Sequence, residues 1–300
     1  MFVKGRSLQK SGMSDAVFNL VNFLIMLTVV IATFYPFVYM ILLSLSSGNT
    51  YAKILLVPLG FSFKAYESIF TQVNYLDGLK ISVARSIIGP VCTIVVIYMG
   101  AYALSRTELI FRKFFSRYVI FAMYFSAGIL PVYLNISSLY LTGTFWVYIL
   151  PNLVSVFGLI LIRTFIQELP RSLEESAFID GASDFQVAFR IVFPLCFPVL
   201  AAVTLFEFIH QWNSFGDTLL YNSSNSKLFT LQYILSNYLK NGTASSATDM
   251  MKLNEGGMNN FTLESVKMAM TVIVCIPIVI VYPFLQKYFI KGLLVGAIKE

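Results

Sequence analysis

Glu174-Glu175-Ser176-Ala177-Phe178-Ile179-Asp180-Gly181-Ala182, followed by Ile191 and Pro194, forms a charged, glycine-punctuated island between long apolar runs. Two short helices are expected here. Ser172 precedes Glu175 by three residues and Ser183 precedes Gln186 by three, the spacing of reciprocal capping boxes that satisfy orphan backbone N–H groups. Gly181 lies where the first helix has to stop, and a left-handed residue past a helix end costs glycine least. Phe185, Ala188, Phe189 and Val192 then make an i, i+3, i+4, i+7 apolar stripe that Pro194 is expected to end. A helix–turn–helix hung between two apolar runs has little use in lipid and much use as a docking knob.

The surrounding runs fix the class. With 57% hydrophobic residues, 12% charged ones and a mean hydropathy of +0.76, the 300-residue chain is too apolar for a soluble domain. Its 28 Phe and 17 Tyr suit rings at both membrane interfaces, and some suit a sugar-sized cavity. Cys92, Cys196 and Cys275 fall in apolar runs at unrelated spacings, so they are expected to be packing residues rather than metal ligands or a disulfide framework. A single histidine, His210, leaves no His-rich metal cluster. No phosphate-cradling GxxxxGK[ST] loop is present, so the chain is not expected to bind ATP in the P-loop manner by itself. Nor is there a paired-carboxylate or nucleophile–base set, so a membrane enzyme is disfavoured and no catalytic residue is assigned. The net charge of +6 sits beside the apolar runs, which points to membrane topology and not to nucleic acid.

Six runs reach the roughly 20 apolar residues that a bilayer crossing needs: 17–45, 82–104, 118–139, 146–166, 196–217 and 266–285. The fold class expected is therefore all-α, a polytopic membrane protein. Pro36, Pro90, Pro131, Pro151 and Pro277 lie in or beside these runs and should kink or interrupt them. Basic residues set the orientation. Lys4, Arg6 and Lys10 lie in the first tail, Arg106, Arg112, Lys113 and Arg117 in the second connection, Arg171 and Arg190 in the island, and Lys287, Lys291 and Lys299 in the last tail. The third connection, 140–145, has neither Lys nor Arg. Both tails, 1–16 and 286–300, and the even-numbered connections are thus expected on the cytoplasmic side of a permease domain spanning 17–285. The long connections 46–81 and 218–265 then face outward, and the island within 167–194 faces in.

The pattern Glu175-Ser176-Ala177, Asp180-Gly181-Ala182, then Ile191 and Pro194 resembles the coupling loop of permease subunits of bacterial ABC importers. Phe193-Pro194-Leu195, Pro198-Val199-Leu200-Ala201, Trp212-Asn213, the Ala101-Tyr102-Ala103-Leu104-Ser105-Arg106 run and the tail from Tyr288 to Lys299 are similar to the carbohydrate-uptake class, the relatives of the maltose permeases. Ser176 departs from the usual second alanine but stays small. The resemblance implies a type I importer permease in the bacterial cytoplasmic membrane, working by alternating access. Its partners would be a second permease in a heterodimer, two ATPase subunits that bind ATP and Mg, and an extracytoplasmic solute-binding protein. The cargo would be an oligosaccharide or glycan fragment. Glu174, Glu175, Ala177, Asp180, Gly181, Ala182, Ile191 and Pro194 would seat the loop in the ATPase, with the carboxylates meeting basic groups and the small residues allowing close approach.

The substrate path is expected from Tyr124, Tyr133, Glu207, His210, Trp212 and Asn213. Glu207 lies about 16 Å into the fifth run, where an acid faces either a wet cavity or the bundle interior. It acts there as a sugar-hydroxyl acceptor or gate, or simply as a hydrogen-bonding group between subunits. His210 is one turn on, and a mutual hydrogen bond is the expected pairing. Trp212, Asn213 and Asp217 resemble a family motif near the outer end, with Trp212 and Asn213 as sugar-stacking and hydroxyl-binding groups or as an interfacial ring with a helix-end cap. Gly128 and Pro131 should open the third span and leave Tyr133 facing the cavity, while Tyr124 is expected in the core. The polar connection 218–265 is read either as a binding-protein contact, as the resemblance implies, or as a plain disordered loop. A non-sugar permease of the same superfamily is the alternative. A secondary transporter would need internal repeats and several intramembrane charges, and the chain has neither.

Overall fold

A computed structural model gives the fold and describes residues 13–47, 56–58, 60–71, 73–241 and 262–297. Apart from one isolated antiparallel bridge between Ser46 and Phe61, every regular element among the described residues is helical. Three continuous helices are long and apolar enough to cross a membrane: α1 (Met13–Ser44), α3 (Val73–Ser105) and α13 (Leu263–Ala297). Some polar side chains inside them are satisfied within their own helix. The Thr28 and Thr33 hydroxyls, for example, donate to the carbonyls four residues back at 2.8 and 2.7 Å.

Three further apolar stretches are bent pairs of helices. α4 (Arg112–Tyr124) and α5 (Ile129–Ser138) meet at 113°, and α10 (Phe197–Asn213) leaves the preceding helical segment at 78°. The 3₁₀ turns Phe145–Tyr148 and Leu150–Asn152 meet α6 (Val156–Glu168) at 45°. Counting each pair once gives six spans. Gly128 supplies the first bend with φ +84°, and Pro131 sits in the first turn of α5, where its missing N–H costs nothing. The expected interruption at Gly128 and Pro131 therefore forms. Ser155 starts α6 by accepting a hydrogen bond from the Gly158 N–H.

α3 is the central post. It packs against α6 and α10, while α13 packs against α1 and α10. A Cβ at Gly158 would sit 2.8 Å from Val203 and 3.0 Å from Ile97, so the glycine lets α6 close onto both neighbours. One core (Ile97, Tyr98, Ile162, Val187, Val192, Cys196, Val203) welds the 184–195 segment to α3, α6 and α10. Another (Ile69, Tyr75, Trp212, Leu231, Val266, Met270) joins α3, α10 and α13 to α2 (Lys64–Phe70) and to the helix Leu231–Asn241. Cys196 is buried in the first core, and all three cysteines are free, as packing roles require.

The structure moves several expected limits. The fifth span stops at Asn213, and Asp217 belongs instead to α11 (Gly216–Tyr221). α13 continues as helix to Ala297, so the tail expected from 286 begins inside it. The outer connection is not plain loop where described. After α11 come a 3₁₀ turn, Ser226–Leu228, and α12 (Leu231–Asn241), whose Leu231, Ile234 and Leu235 are buried. The rest of that connection (242–261), the basic residues Lys4, Arg6, Lys10 and Lys299, and part of the 46–81 connection lie outside the described residues.

Candidate functional site

The island folds as a projection of α7 (Ser172–Ile179), α8 (Asp184–Gln186), a π-helix over Val187–Val192 and α9 (Phe193–Leu195). At the second start the expected capping box forms: Ser183 Oγ accepts from the Gln186 N–H, and the Gln186 side chain accepts from the Ser183 N–H at 2.9 Å. At the first start it does not. Arg171 takes the cap position with helical angles and no side-chain cap bond, and Ser172 is already the first helical residue. Pro170 accounts for the shift, because its fixed φ favours helix entry and its carbonyl already accepts the Leu173 N–H. Gly181 has φ +82°, with the Ala182 N–H bonded to Ala177 O at 2.9 Å and the Gly181 N–H to Phe178 O at 3.0 Å. Those two bonds are a Schellman stop.

The apolar stripe is not the one the spacing implied. Ahead of Pro194, whose ring would crowd the carbonyl four residues back, the helix widens into the π form. Phe185 turns outward and is exposed, while Val187, Ala188 and Val192 are buried. Tyr98 fills the inner side: its hydroxyl donates to the Ala188 carbonyl at 2.5 Å, and its ring meets Phe193 at 4.9 Å and Phe189 at 5.6 Å.

α7 is tied to the end of α3 separately. The Arg106 guanidinium donates to the Glu174 carboxylate and to the Tyr102 hydroxyl, and lies over the Tyr102 ring at 4.4 Å. Burial alone would lower the Arg106 pKa, but the hydrogen bond to Tyr102 and the Glu174 charge outweigh it and raise it above the ordinary arginine value. Arg106 is therefore charged throughout the physiological range. Glu174 is thus committed inside the chain, contrary to its expected role of meeting a partner's basic group. Ala177 is buried in the core, so its small size serves α7 packing. Ile191 and Ala182 are half-buried against the same core. Glu175, Asp180, Gly181, Phe185 and Pro194 face out, and so does Ile179, at 86% exposure. Behind α7 a cleft of ≈ 330 Å³ is lined by Arg106, Arg112, Gln167, Arg171, Glu174 and Phe178.

The six expected substrate-path residues are not gathered into one cavity. Trp212 is buried in the core, stacked at 6.3 Å on Phe208, with its indole N–H on the Val274 carbonyl of α13 at 3.0 Å. It is a joint between helices and offers no free face to a sugar. Tyr124 is 81% exposed at the break in the third span, not in the core. Tyr133 stacks on Tyr221 at 5.8 Å and 10°. Glu207 is buried, and among the described residues neither a hydrogen bond nor an ion pair reaches its carboxylate. The expected bond to His210 is absent, because His210 turns to the exposed side of α10 along with Asn213.

One buried network escaped sequence reasoning. Arg85 of α3 is fully buried and grips Asp217 with both terminal nitrogens, while its Nε donates to Gln211 at 2.9 Å. Its guanidinium also stands 4.5 Å from the Tyr148 ring centre. Gln211 and Tyr148 extend the network: Gln211 donates to Tyr148 O at 3.1 Å, and the Tyr148 hydroxyl to Leu228 O at 2.6 Å. The available signal was a lone arginine near the start of one apolar run and a lone aspartate at the end of another. Opposite charges at matching depth need each other in lipid.

The comparisons with known proteins fit this architecture. The family described as "Binding-protein-dependent transport system inner membrane component" matches residues 97–295. The polygalacturonan/rhamnogalacturonan transport system permease protein YtcP of Bacillus subtilis (strain 168) is 34% identical over 289 residues, covering 96% of this chain and 100% of that one. Protein LplC of the same organism is 36% identical over 287 residues, covering 94% and 95%. Among solved structures, a bacterial ABC transporter involved in the import of the acidic polysaccharide alginate superposes with a TM-score of 0.83 at 29% identity, covering 93% of this chain and 98% of that one. Family match, identity and superposition agree with the helical fold and its apolar spans: the chain belongs to the binding-protein-dependent transport system inner membrane components, the permease subunits of ABC importers.

Proposed function

We propose that the chain is one permease of a heterodimer that carries an oligosaccharide or glycan fragment inward across the bacterial cytoplasmic membrane by alternating access. Two separate ATPase subunits, which bind ATP and Mg, drive it through the 172–195 projection. A solute-binding protein delivers the cargo from outside, and both termini are cytoplasmic. The observation that carries the reading is the construction of the projection. It is capped at Ser183, stopped at Gly181 and bolted to α3 through Arg106–Glu174 and Tyr98–Ala188, with Ile179, Gly181, Glu175, Asp180 and Phe185 left outward. A stiff knob with an unsatisfied apolar tip suits the transmission of a rigid-body motion. The dependence on a binding protein follows the family description. The glycan cargo follows relatives whose names specify polygalacturonan, rhamnogalacturonan and alginate, all polymers rich in uronic acids.

Glu207 is the residue of this chain we assign to the path, as an acceptor for sugar hydroxyls or for the facing permease. The test is the assembled complex in proteoliposomes, with ATP hydrolysis and uptake measured across acidic and neutral oligosaccharides. An oligosaccharide should stimulate hydrolysis several-fold; stimulation by a non-sugar solute alone would overturn the cargo. Losing one partner of a buried polar contact costs about 1–3 kcal/mol, or roughly five- to more than a hundredfold. Glu207→Leu should cut transport per complex within that range, and Glu207→Gln only partly. A fall in complex yield at normal transport per complex would make the residue structural.

A further inference from the structure

Where α4 packs on α6, buried polar atoms are left without a hydrogen-bond partner among the described residues. Arg163 stands on α6 five residues before its Glu168 end, about 7 Å along the axis. Its Nε is buried and has no hydrogen-bond partner. Arg112, at the start of α4, is near enough to act on Arg163 electrostatically and spends only its Nε, on the Leu104 carbonyl at 3.1 Å. One turn further along the same face of α4, the Ser116 hydroxyl is also buried without a partner. None of the three ion pairs among the described residues involves Arg112, Lys113, Arg117 or Arg163. On the outer faces of α4, Phe114, Phe115, Tyr118 and Phe121 are exposed.

Two neighbouring cations within a membrane protein repel each other unless an anion stands between them, and a buried unpaired N–H in a span is costly. The missing partner must supply several acceptor oxygens and negative charge at a helix end, beside a face of rings and aliphatic groups. We propose that the seam where α4 packs on α6 binds the phosphate of an anionic phospholipid, held by Arg112 and Arg163 with the Ser116 hydroxyl. The acyl chains run along α4 beside the exposed Phe115, Ile120 and Met123, which flank Arg112 and Ser116 on the helix. Basic pockets between membrane helices take acidic headgroups in this way. The assignment needs only the membrane placement of the chain, and is independent of its cargo.

The test uses the purified complex in nanodiscs of phosphatidylcholine titrated with phosphatidylglycerol. A photo-activatable phosphatidylglycerol should label the 112–124 and 156–168 peptides in preference to its phosphatidylcholine counterpart, and millimolar inorganic phosphate should not compete. Arg163→Gln and Arg112→Gln should each weaken labelling about fivefold, as one basic contact to an acidic headgroup is worth. Lys227→Gln, a distant exposed basic residue, should change nothing. Equal labelling by both lipids in the unmodified complex would overturn the proposal, and so would competition by inorganic phosphate. It would also fall if the arginine variants kept full labelling but released the second permease, since a protein carboxylate would then be the partner.

Discussion

Gly181 has φ +82°, and open space lies where its Cβ would be. The backbone angle demands glycine, and in the proposed docking role the open volume in front of the turn receives the ATPase. Proline, fixed near φ −65°, cannot adopt the turn, whereas asparagine tolerates left-handed angles but fills the space. Both Gly181→Pro and Gly181→Asn should insert into the membrane normally. Pull-down of the ATPase should be abolished by the proline and weakened roughly tenfold, about 1.4 kcal/mol, by the asparagine. Wild-type association and transport by the proline variant would end the docking role. Gly181 and Ser183 were legible because their chemistry is local: one needs an angle, the other a bond three residues on. Ser172 was misread because the proline two residues upstream moved the helix start. Trp212 was misread because an aromatic residue at a helix end looks the same in sequence whether its ring faces a sugar or a neighbouring helix. Glu207 was placed correctly as a buried acid, but its neighbours come from other spans and left no trace beside it.

At the scale of elements, the projection matters as a body joined to α3 at two points. The Tyr98–Ala188 bond holds the π-helix, and Arg106 holds α7 through Glu174. Cutting the second joint should leave the projection folded, since its caps and its core contacts remain, but let it swing against the spans. Arg106→Gln is therefore expected to assemble with the ATPase and hydrolyse ATP while transporting less. The ratio of ATP consumed to solute moved should rise severalfold, and the exchange Arg106→Glu with Glu174→Arg should bring it back. An unchanged ratio in Arg106→Gln would show that the joint transmits nothing. Helical character and the break at Gly128 were readable from apolar runs and a single glycine. The π-helix was not, because a stripe counted at 3.6 residues per turn assumes the geometry that Pro194 disrupts.

For the whole molecule, the expected orientation rests on basic residues outside the spans, and it assigns opposite sides to two exposed serines. Ser224 lies in the 218–265 connection and Ser176 on α7, and both are exposed. A cysteine at Ser224 should react with an impermeant thiol reagent on intact cells, and one at Ser176 only after permeabilisation. The reverse pattern would overturn the cytoplasmic placement of the projection. The membrane-spanning class was legible because crossings each need a long apolar run. Their bends, and the helices folded into the outer connection, were not, because these depend on packing between runs far apart in sequence. The Arg85–Asp217 grip is the clearest case: its members are separated by 132 positions. Breaking such a buried pair from one side typically costs about 3–5 kcal/mol.

The burial of Trp212 also has an optical consequence. The chain has two tryptophans, and the other, Trp146, is exposed beside the 3₁₀ turns that lead into α6. One indole therefore emits from a dry site on the seam between α10 and α13, its N–H held by Val274, and the other from the molecular surface. Emission wavelength and quenching by brominated acyl chains separate the two without any added label. The protein thus reports on the opening of that seam by its own fluorescence.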